Sequence, residues 1–554
     1  MKNFLNNNSR KITVIISLIF LTLFIVLPLV VISTYNLYSN EASSFKTLFT
    51  KDIAHIYFNT LKLGILVILV SSVISFPLAF INVKTNLRFK VSIDILSFIP
   101  VMIPPYIESM GWILFLQKKG YLDTLCPALS FLRNYFFSLT GLVIIMSLHV
   151  FPFMYLGLKN TLLKVSSNLE DAAFVHGSSL FFTLRKIIFP LLLSSYMVGA
   201  LLIFLRTVSE FGAPATFGRK IGYYVLTTEI YKYVSDWPID FGKASTLSLL
   251  LTLSCLILWF FQNHISLKHS YLLIGGKSSK KNLHNLNIFA KVILYMYIFL
   301  VFTLAILVPI ISIFFTSIIK VQGYGLSCRN FTLINYINIF SSGSDGFNAL
   351  INTFKISILA SILTTIIGTF YGLIIGKYKK GLLYKLTAIF SILPNTVPGI
   401  VIIIGLILVF NSKYMPLPIY NTYGMVILTY VVLFLPYTVE YVSNSYSQIN
   451  SNLEEAANLF GSKYLFMLKK IIIPLNSKAI FSGFIMTFIV SVRELVAPLM
   501  ILPPSMQNSA SFIYSQFEQG SEGAGMAMAL VSIIITAILL IILNMLSGVK
   551  KERT

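Results

Sequence analysis

Long apolar runs alternate with short polar breaks along the whole chain. Runs of about 20 residues, the length a helix needs to cross a bilayer, fall at 12–34, 59–82, 92–116, 139–161, 187–209 and 243–264 in the first half. In the second half they fall at 289–318, 352–376, 383–410, 423–445, 471–494 and 524–547. The pattern predicts an all-α integral membrane protein with about twelve transmembrane helices. The first run follows a charged start, MKNFLNNNSRK, but is long enough to span and lacks a small-x-small cleavage site. It is therefore read as a retained span and not as a removed leader.

The pattern also repeats. FIPVMIPPYIESMGWILFL (98–116) aligns with ILPNTVPGIVIIIGLILVF (392–410), pairing Pro100 with Pro394, Pro104 with Pro398 and Gly111 with Gly405. NTLKLGILV (59–67) aligns with NTFKISILA (352–360), and SEFGAP (209–214) with RELVAP (493–498). A duplicated unit of this kind decides architecture before any local detail. The expected arrangement is two tandem six-helix units, 1–264 and 289–554, joined by a polar, basic linker at 265–288. An even number of spans per unit makes the copies parallel, related by an axis along the membrane normal.

Two polar breaks stand out because they carry short charged helices. NLEDAAFVHGSSLFFTLRKIIFPLL (168–192) and NLEEAANLFGSKYLFMLKKIIIPLN (452–476) each lie between the fourth and fifth span of their unit. Ser167 with Glu170, and Ser451 with Glu454, have the spacing of a capping box. Glu170/Asp171 and Glu454/Glu455 then occupy the first helical turn, where the helix dipole favours negative charge. Ala172/Ala173 and Ala456/Ala457 leave a bare patch that another surface could approach closely. Gly177 and Gly461 are placed to end each helix as C-cap glycines. One such element could be an ordinary loop; two in equivalent loops point to a shared docking role.

Charge refines the picture. The chain has 554 residues, 56% of them hydrophobic and 11% charged, with a formal net charge of +23. The larger share of its 42 Lys and Arg residues falls in the breaks that share a side with the N-terminus, including Lys84, Arg88, Lys90, Lys377 and Lys385. The basic excess is thus a topology signal that places both termini in the cytoplasm, not a nucleic-acid footprint. Cys126, Cys255 and Cys328 are too few and too scattered for a disulfide framework or a zinc site. The linker's GGKS has Tyr271 where a phosphate-binding loop needs its first glycine, so the chain is expected to bind no ATP itself.

The paired segments resemble the EAA loop of binding-protein-dependent ABC importer permeases. The match is carried by Glu455-Ala456-Ala457, Gly461 and Ile471 to Pro474, and by Asp171-Ala172-Ala173, Gly177 and Ile187 to Pro190. The loops run over about 167–190 and 451–474, and the first copy has Asp where the motif has Glu. The resemblance covers nearly the whole chain and implies that these helices couple to two ABC ATPase subunits in the cytoplasm. It further implies a substrate-binding protein outside, a bacterial cell membrane location, and ATP and magnesium held by the ATPases alone. EFGAPATFG and the following stretch to Ser245 resemble fused permeases of the ferric-iron group, whose relatives carry thiamine, 2-aminoethylphosphonate or polyamines.

Charged residues near span ends are the remaining candidates, because such groups tend to face a cavity. Arg206, Glu210, Arg493 and Glu494 sit at matching outer positions of the fifth and eleventh spans and could line the outer gate; they could equally be salt bridges that fix span ends. Arg206 is one turn before Glu210 and within pairing reach. Glu108, Glu440 and His149 are isolated polar residues in apolar runs. No catalytic cluster and no set of metal ligands is expected. The rival class is an ion-coupled transporter of six plus six spans, which would need more ionisable residues at mid-membrane and no matched loop helices.

Overall fold

The computed structural model describes residues 15, 17–38, 50–269, 286–377, 381–413, 415, 419–450 and 452–546. Ser451, most of the linker, Lys379, Lys380 and both basic termini lie outside these residues. The first-half helices are α1 (Ser17–Tyr35), α2 (Lys51–Lys84), α3 (Lys90–Met102), α4 (Pro105–Leu116), α5 (Leu139–Leu162), α6 (Ser167–Val175), α7 (Phe181–Ser209) and α8 (Phe241–His269). Their second-half counterparts are α9 (Ile288–Ser317), α10 (Asp345–Lys377), α11 (Leu382–Thr396), α12 (Gly399–Phe410), α13 (Tyr423–Tyr446), α14 (Asn452–Leu459), α15 (Leu468–Arg493) and α16 (Glu522–Leu546). Among the described residues, ten helices are long and apolar enough to cross a membrane.

Two of the twelve apolar runs are not straight spans. α3 and α4 meet at 93°, and α11 and α12 at 110°. The cause is the proline in each break. Ile103 (φ −84°, ψ 126°) precedes Pro104, and Val397 (φ −84°, ψ 135°) precedes Pro398. A residue before proline is pushed out of the helical region by the ring, so the helix stops there and restarts in a new direction.

Other prolines widen a helix without stopping it. Pro28, Pro190, Pro309 and Pro474 each follow, by two residues, a π-helical turn: Thr22–Val26, Leu184–Ile188, Thr303–Leu307 and Leu468–Ile472. A proline ring collides with the carbonyl four residues back, and a π turn moves that carbonyl aside.

The chain folds into two compact units, and neither coincides with a sequence half. One, the first-loop unit, comprises the described residues of Leu48–Glu229 and Leu253–Thr332, hence α2–α7 and α9. The other, the second-loop unit, comprises those of Met1–Thr47, Ile230–Thr252 and Leu333–Thr554, hence α1 and α10–α16. Each half's first helix therefore packs with the other half's helices.

The repeat explains this exchange. In the first-loop unit a Cβ on Gly111 of α4 would lie 2.8 Å from the carbonyl oxygen of Pro309 in α9. In the second-loop unit a Cβ on Gly405 of α12 would lie 2.7 Å from that of Pro28 in α1. Small residues let membrane helices approach at backbone distance, and the same glycine–proline contact is used in both units. Around it, Tyr121 and Thr316 share a hydrogen bond of 2.8 Å in one unit, and Tyr371 donates to the Ser17 carbonyl at 2.8 Å in the other.

Candidate functional site

Each charged loop helix is tied to its unit by one acid, buried in the first loop and half-buried in the second. Lys84, the last residue of α2, forms an ion pair with Glu170 of α6, and both side chains are almost wholly buried. Lys377, the last residue of α10, pairs in the same way with Glu454 of α14, whose other carboxylate oxygen accepts a hydrogen bond from the Tyr446 hydroxyl. The register that pairs Asn59 with Asn352 also pairs Lys84 with Lys377, so the tie is part of the duplication. These lysines read from the sequence only as topology charges. The signal that could have revealed their role is a lysine in the same register of both halves, facing a loop acid in the same register.

The capping arrangement differs from the sequence expectation. The N-cap of α6 is Ser166, whose hydroxyl accepts from the Asn168 N–H at 3.3 Å, so the capping box begins one residue earlier than Ser167 and lacks its acid. Glu170 is instead turned to Lys84. In α14 the Asn450 side chain accepts from the Asn452 N–H at 3.0 Å; Ser451 is outside the described residues.

Both helices end at a left-handed glycine, Gly177 with φ 77° and Gly461 with φ 73°. The Ser178 N–H donates to the Ala173 carbonyl and the Ser462 N–H to the Ala457 carbonyl, both at 3.0 Å, which is the six-to-one bond of a Schellman cap. Nothing lies within 4 Å of a Cβ built at either glycine. The backbone angle, not crowding, is what calls for glycine there.

The outward surface of each helix is acidic and apolar together. Asp171 and Glu455, and the alanines Ala172 and Ala456, are exposed. Ala173 and Ala457 are half-buried, and Ala457 packs on the buried cluster of Tyr446, Met467 and Ile472. Large apolar side chains project at the glycine end: Val175 is 83% exposed, Leu459 88% and Phe460 92%. Each helix tip thus presents exposed apolar side chains beside acidic ones.

At the other end of the spans, Glu210, Glu494 and Arg206, three of the four candidate gate residues, make local contacts. Glu210 accepts the Gly212 N–H at 2.8 Å. Glu494, its counterpart, accepts the N–H groups of Val496 and Ala497 at 3.0 and 3.3 Å. Each carboxylate thus caps the short helical turn that follows, Pro214–Gly218 or Val496–Ile501. Arg206 is exposed and stands over the Phe153 ring, 5.6 Å from its centroid; an ion pair with Glu210 is not what holds it. Arg493 is half-buried beside Glu494 in sequence.

Ionisable groups inside the first-loop unit are replaced by uncharged residues in the second. Glu108, fully buried in α4, accepts or shares a hydrogen bond of 2.9 Å with His149 Nδ1 of α5. The repeat register puts Ile402 and Leu433 at these positions. Asp94 of α3 likewise bonds Lys159, Tyr155 and Asn82 at 2.5, 2.6 and 3.1 Å, where Ala388 and Ser443 replace Asp94 and Lys159. Glu440 lies exposed near the end of α13. Among the described residues no group of three or more His, Cys, Asp or Glu side chains is placed to hold a metal ion.

A duplicated bundle of membrane helices with one anchored loop helix per repeat is the architecture of a transport permease. The chain belongs to the family described as binding-protein-dependent transport system inner membrane component, whose profile matches residues 71–269 and again 368–549. The matched stretches leave out α1 and α9, the two exchanged helices.

Named relatives agree. The ferric transport system permease protein FbpB of Actinobacillus pleuropneumoniae is 26% identical over 549 residues, covering 96% of this chain and 77% of the relative. The Fe(3+)-transport system permease protein FbpB 2 of Haemophilus influenzae is 23% identical over 501 residues, covering 89% of this chain and 90% of the relative. A permease named for 2-aminoethylphosphonate transport, PhnV of Salmonella typhimurium, is 24% identical over 230 residues, covering 42% of this chain and 85% of the relative.

Proposed function

We propose that the chain is the membrane subunit of an ABC importer that receives ferric iron from an extracytoplasmic binding protein and passes it to the cytoplasm. Two partner ATPase subunits, which hold the ATP and magnesium, dock on α6 and α14. The observation that carries the docking reading is the repeated tie between each loop helix and the end of a long membrane helix. A partner that displaces α6 or α14 pulls directly on Lys84 or Lys377, and so on α2 or α10. Movement enters the membrane through a charge pair, which in the buried Lys84–Glu170 case resists separation most strongly. This orientation puts the loop helices and both termini on the cytoplasmic side, in line with the basic residues of the same breaks.

The iron assignment is supported by the relatives that span nearly the whole chain. The relative named for 2-aminoethylphosphonate matches less than half of it, and makes that compound the second candidate.

The test is co-purification of ATPase subunits with the intact chain and with the double variant Asp171→Lys plus Glu455→Lys. Loss of the ATPase from a double variant that keeps the native melting behaviour supports the docking reading. Failure of the intact chain to retain any ATPase under conditions that preserve membrane complexes would point to the ion-driven class. Uptake of radioactive ferric iron in cells, competed by unlabelled iron and not by 2-aminoethylphosphonate, tests the substrate.

A further inference from the structure

A groove of about 470 Å³ runs between α3 and α9 in the first-loop unit. Its walls are almost entirely apolar, with Ile93 and Leu96 on one side and Phe299, Phe302 and Ile306 on the other. From Tyr295 at one end to Leu307 at the other it follows α9 for about 18 Å at 1.5 Å per residue. One leaflet of a bilayer's hydrocarbon core is about 15 Å deep. The groove is open to the side, on a helix whose neighbouring Met296 and Phe299 are 66% and 68% exposed, so whatever fills it comes from the lipid.

One end of the groove is charged. Arg88 lines it, is exposed, and makes no ion pair among the described residues. The Arg88 backbone N–H is held by the Tyr295 hydroxyl at 3.2 Å, which fixes the loop against α9. Phe89, the next residue and also part of the lining, adopts φ 66°, a left-handed angle that a residue with a bulky side chain rarely takes. This end lies at the loop that also carries Lys84, the partner of the docking helix.

We propose that the groove is a binding site for one anionic phospholipid, an acyl chain lying between α3 and α9 and the phosphate meeting the Arg88 guanidinium. An arginine fork matches phosphate geometry, and basic pockets between membrane helices select anionic headgroups. The second-loop unit supplies an internal contrast, since the register that pairs Pro100 with Pro394 puts Leu382 where Arg88 stands. The lipid would seal α9, a helix from the second half of the chain, against the first-half helix α3.

The site is tested by native mass spectrometry of the full chain in detergent, with phosphatidylglycerol or phosphatidylcholine of identical acyl chains added. The wild-type protein is expected to keep one phosphatidylglycerol at least tenfold more readily than phosphatidylcholine. Arg88→Gln should abolish that preference, Arg88→Lys should keep part of it, and Leu96→Trp, which fills the groove, should release both lipids. Lys385→Gln, a charge change in the other unit, should leave the preference intact. Equal retention of the two lipids by the wild type, or a preference that survives Arg88→Gln or Leu96→Trp, overturns the proposal. No ATPase or substrate enters the experiment, so its outcome is independent of the transport reading.

Discussion

Lys84 and Glu170 form an ion pair from which water is excluded, joining the last residue of a long membrane helix to the first turn of a surface helix. Its counterpart, Lys377 with Glu454, keeps more contact with solvent, at 21% and 14% side-chain exposure against 6% and 1%. Removing one partner of a buried pair strands the other charge, at a cost of about 3–5 kcal/mol. Lys84→Met should therefore loosen α6 and lower the melting temperature. Lys377→Met should do the same to a smaller extent. Limited proteolysis of the two loops, read beside thermal melting, checks the order. Lys84→Met combined with Glu170→Leu should recover much of the loss, because no charge is then left buried.

Gly111→Ala and Gly405→Ala should each disturb the seat of an exchanged helix. The new methyl group would stand 2.8 Å from backbone oxygen in one case and 2.7 Å in the other, and a backbone cannot swing away as a side chain can. Overpacking of this kind costs about 1–3 kcal/mol. Thermal melting in detergent gives the size, and a reduced yield of α1 or α9 cross-linked to its partner helix through engineered cysteines would localise it.

Replacing the C-cap glycines tests backbone conformation alone, since the surroundings are open. Gly177→Ala or Gly461→Ala should cost about 1–2 kcal/mol, the penalty of a Cβ in the left-handed region. Asn at either position should cost less, because it tolerates that angle. The comparison is made on loop protection by hydrogen exchange.

The projecting apolar tip of α14 should matter for docking and not for folding. Leu459→Ser with Phe460→Ser removes side chains that are exposed in the isolated chain. Truncation of an interface anchor commonly costs about 2 kcal/mol or more. ATPase capture should fall while the melting temperature stays put; an unchanged capture would mean that the partner contacts another face of the helix.

Much of this architecture is legible in the chain. Hydropathy marks every membrane helix, and the matched prolines, glycines and loop motifs mark the duplication. Two features are harder to read, for physical reasons. A 25-residue apolar window such as 92–116 reads as one span although Ile103, held extended by Pro104, divides it; hydropathy sums composition and is blind to direction. Apolar character also says that α1 and α9 need apolar neighbours without saying which, and the answer lies in Gly405 meeting Pro28 and Gly111 meeting Pro309.

The loop helices show the same limit at the scale of one side chain. Spacing identifies Glu170 and Glu454 as first-turn acids. Only the fold brings them to Lys84 and Lys377, which are distant in sequence. The neighbouring Asp171 and Glu455 look equivalent to them in the sequence, yet they face outward. Within each acidic pair, therefore, the first residue anchors and the second is presented.

The exchange of α1 and α9 makes the two halves of the polypeptide interdependent. Either half synthesised alone would carry a leading helix and a glycine seat that in the intact chain belong to different units, so each would lack its native partner. Covalent fusion supplies the complementary segments in equal numbers and at high local concentration. Cutting the chain within the linker should thus yield fragments that are degraded separately and rescue one another when made together.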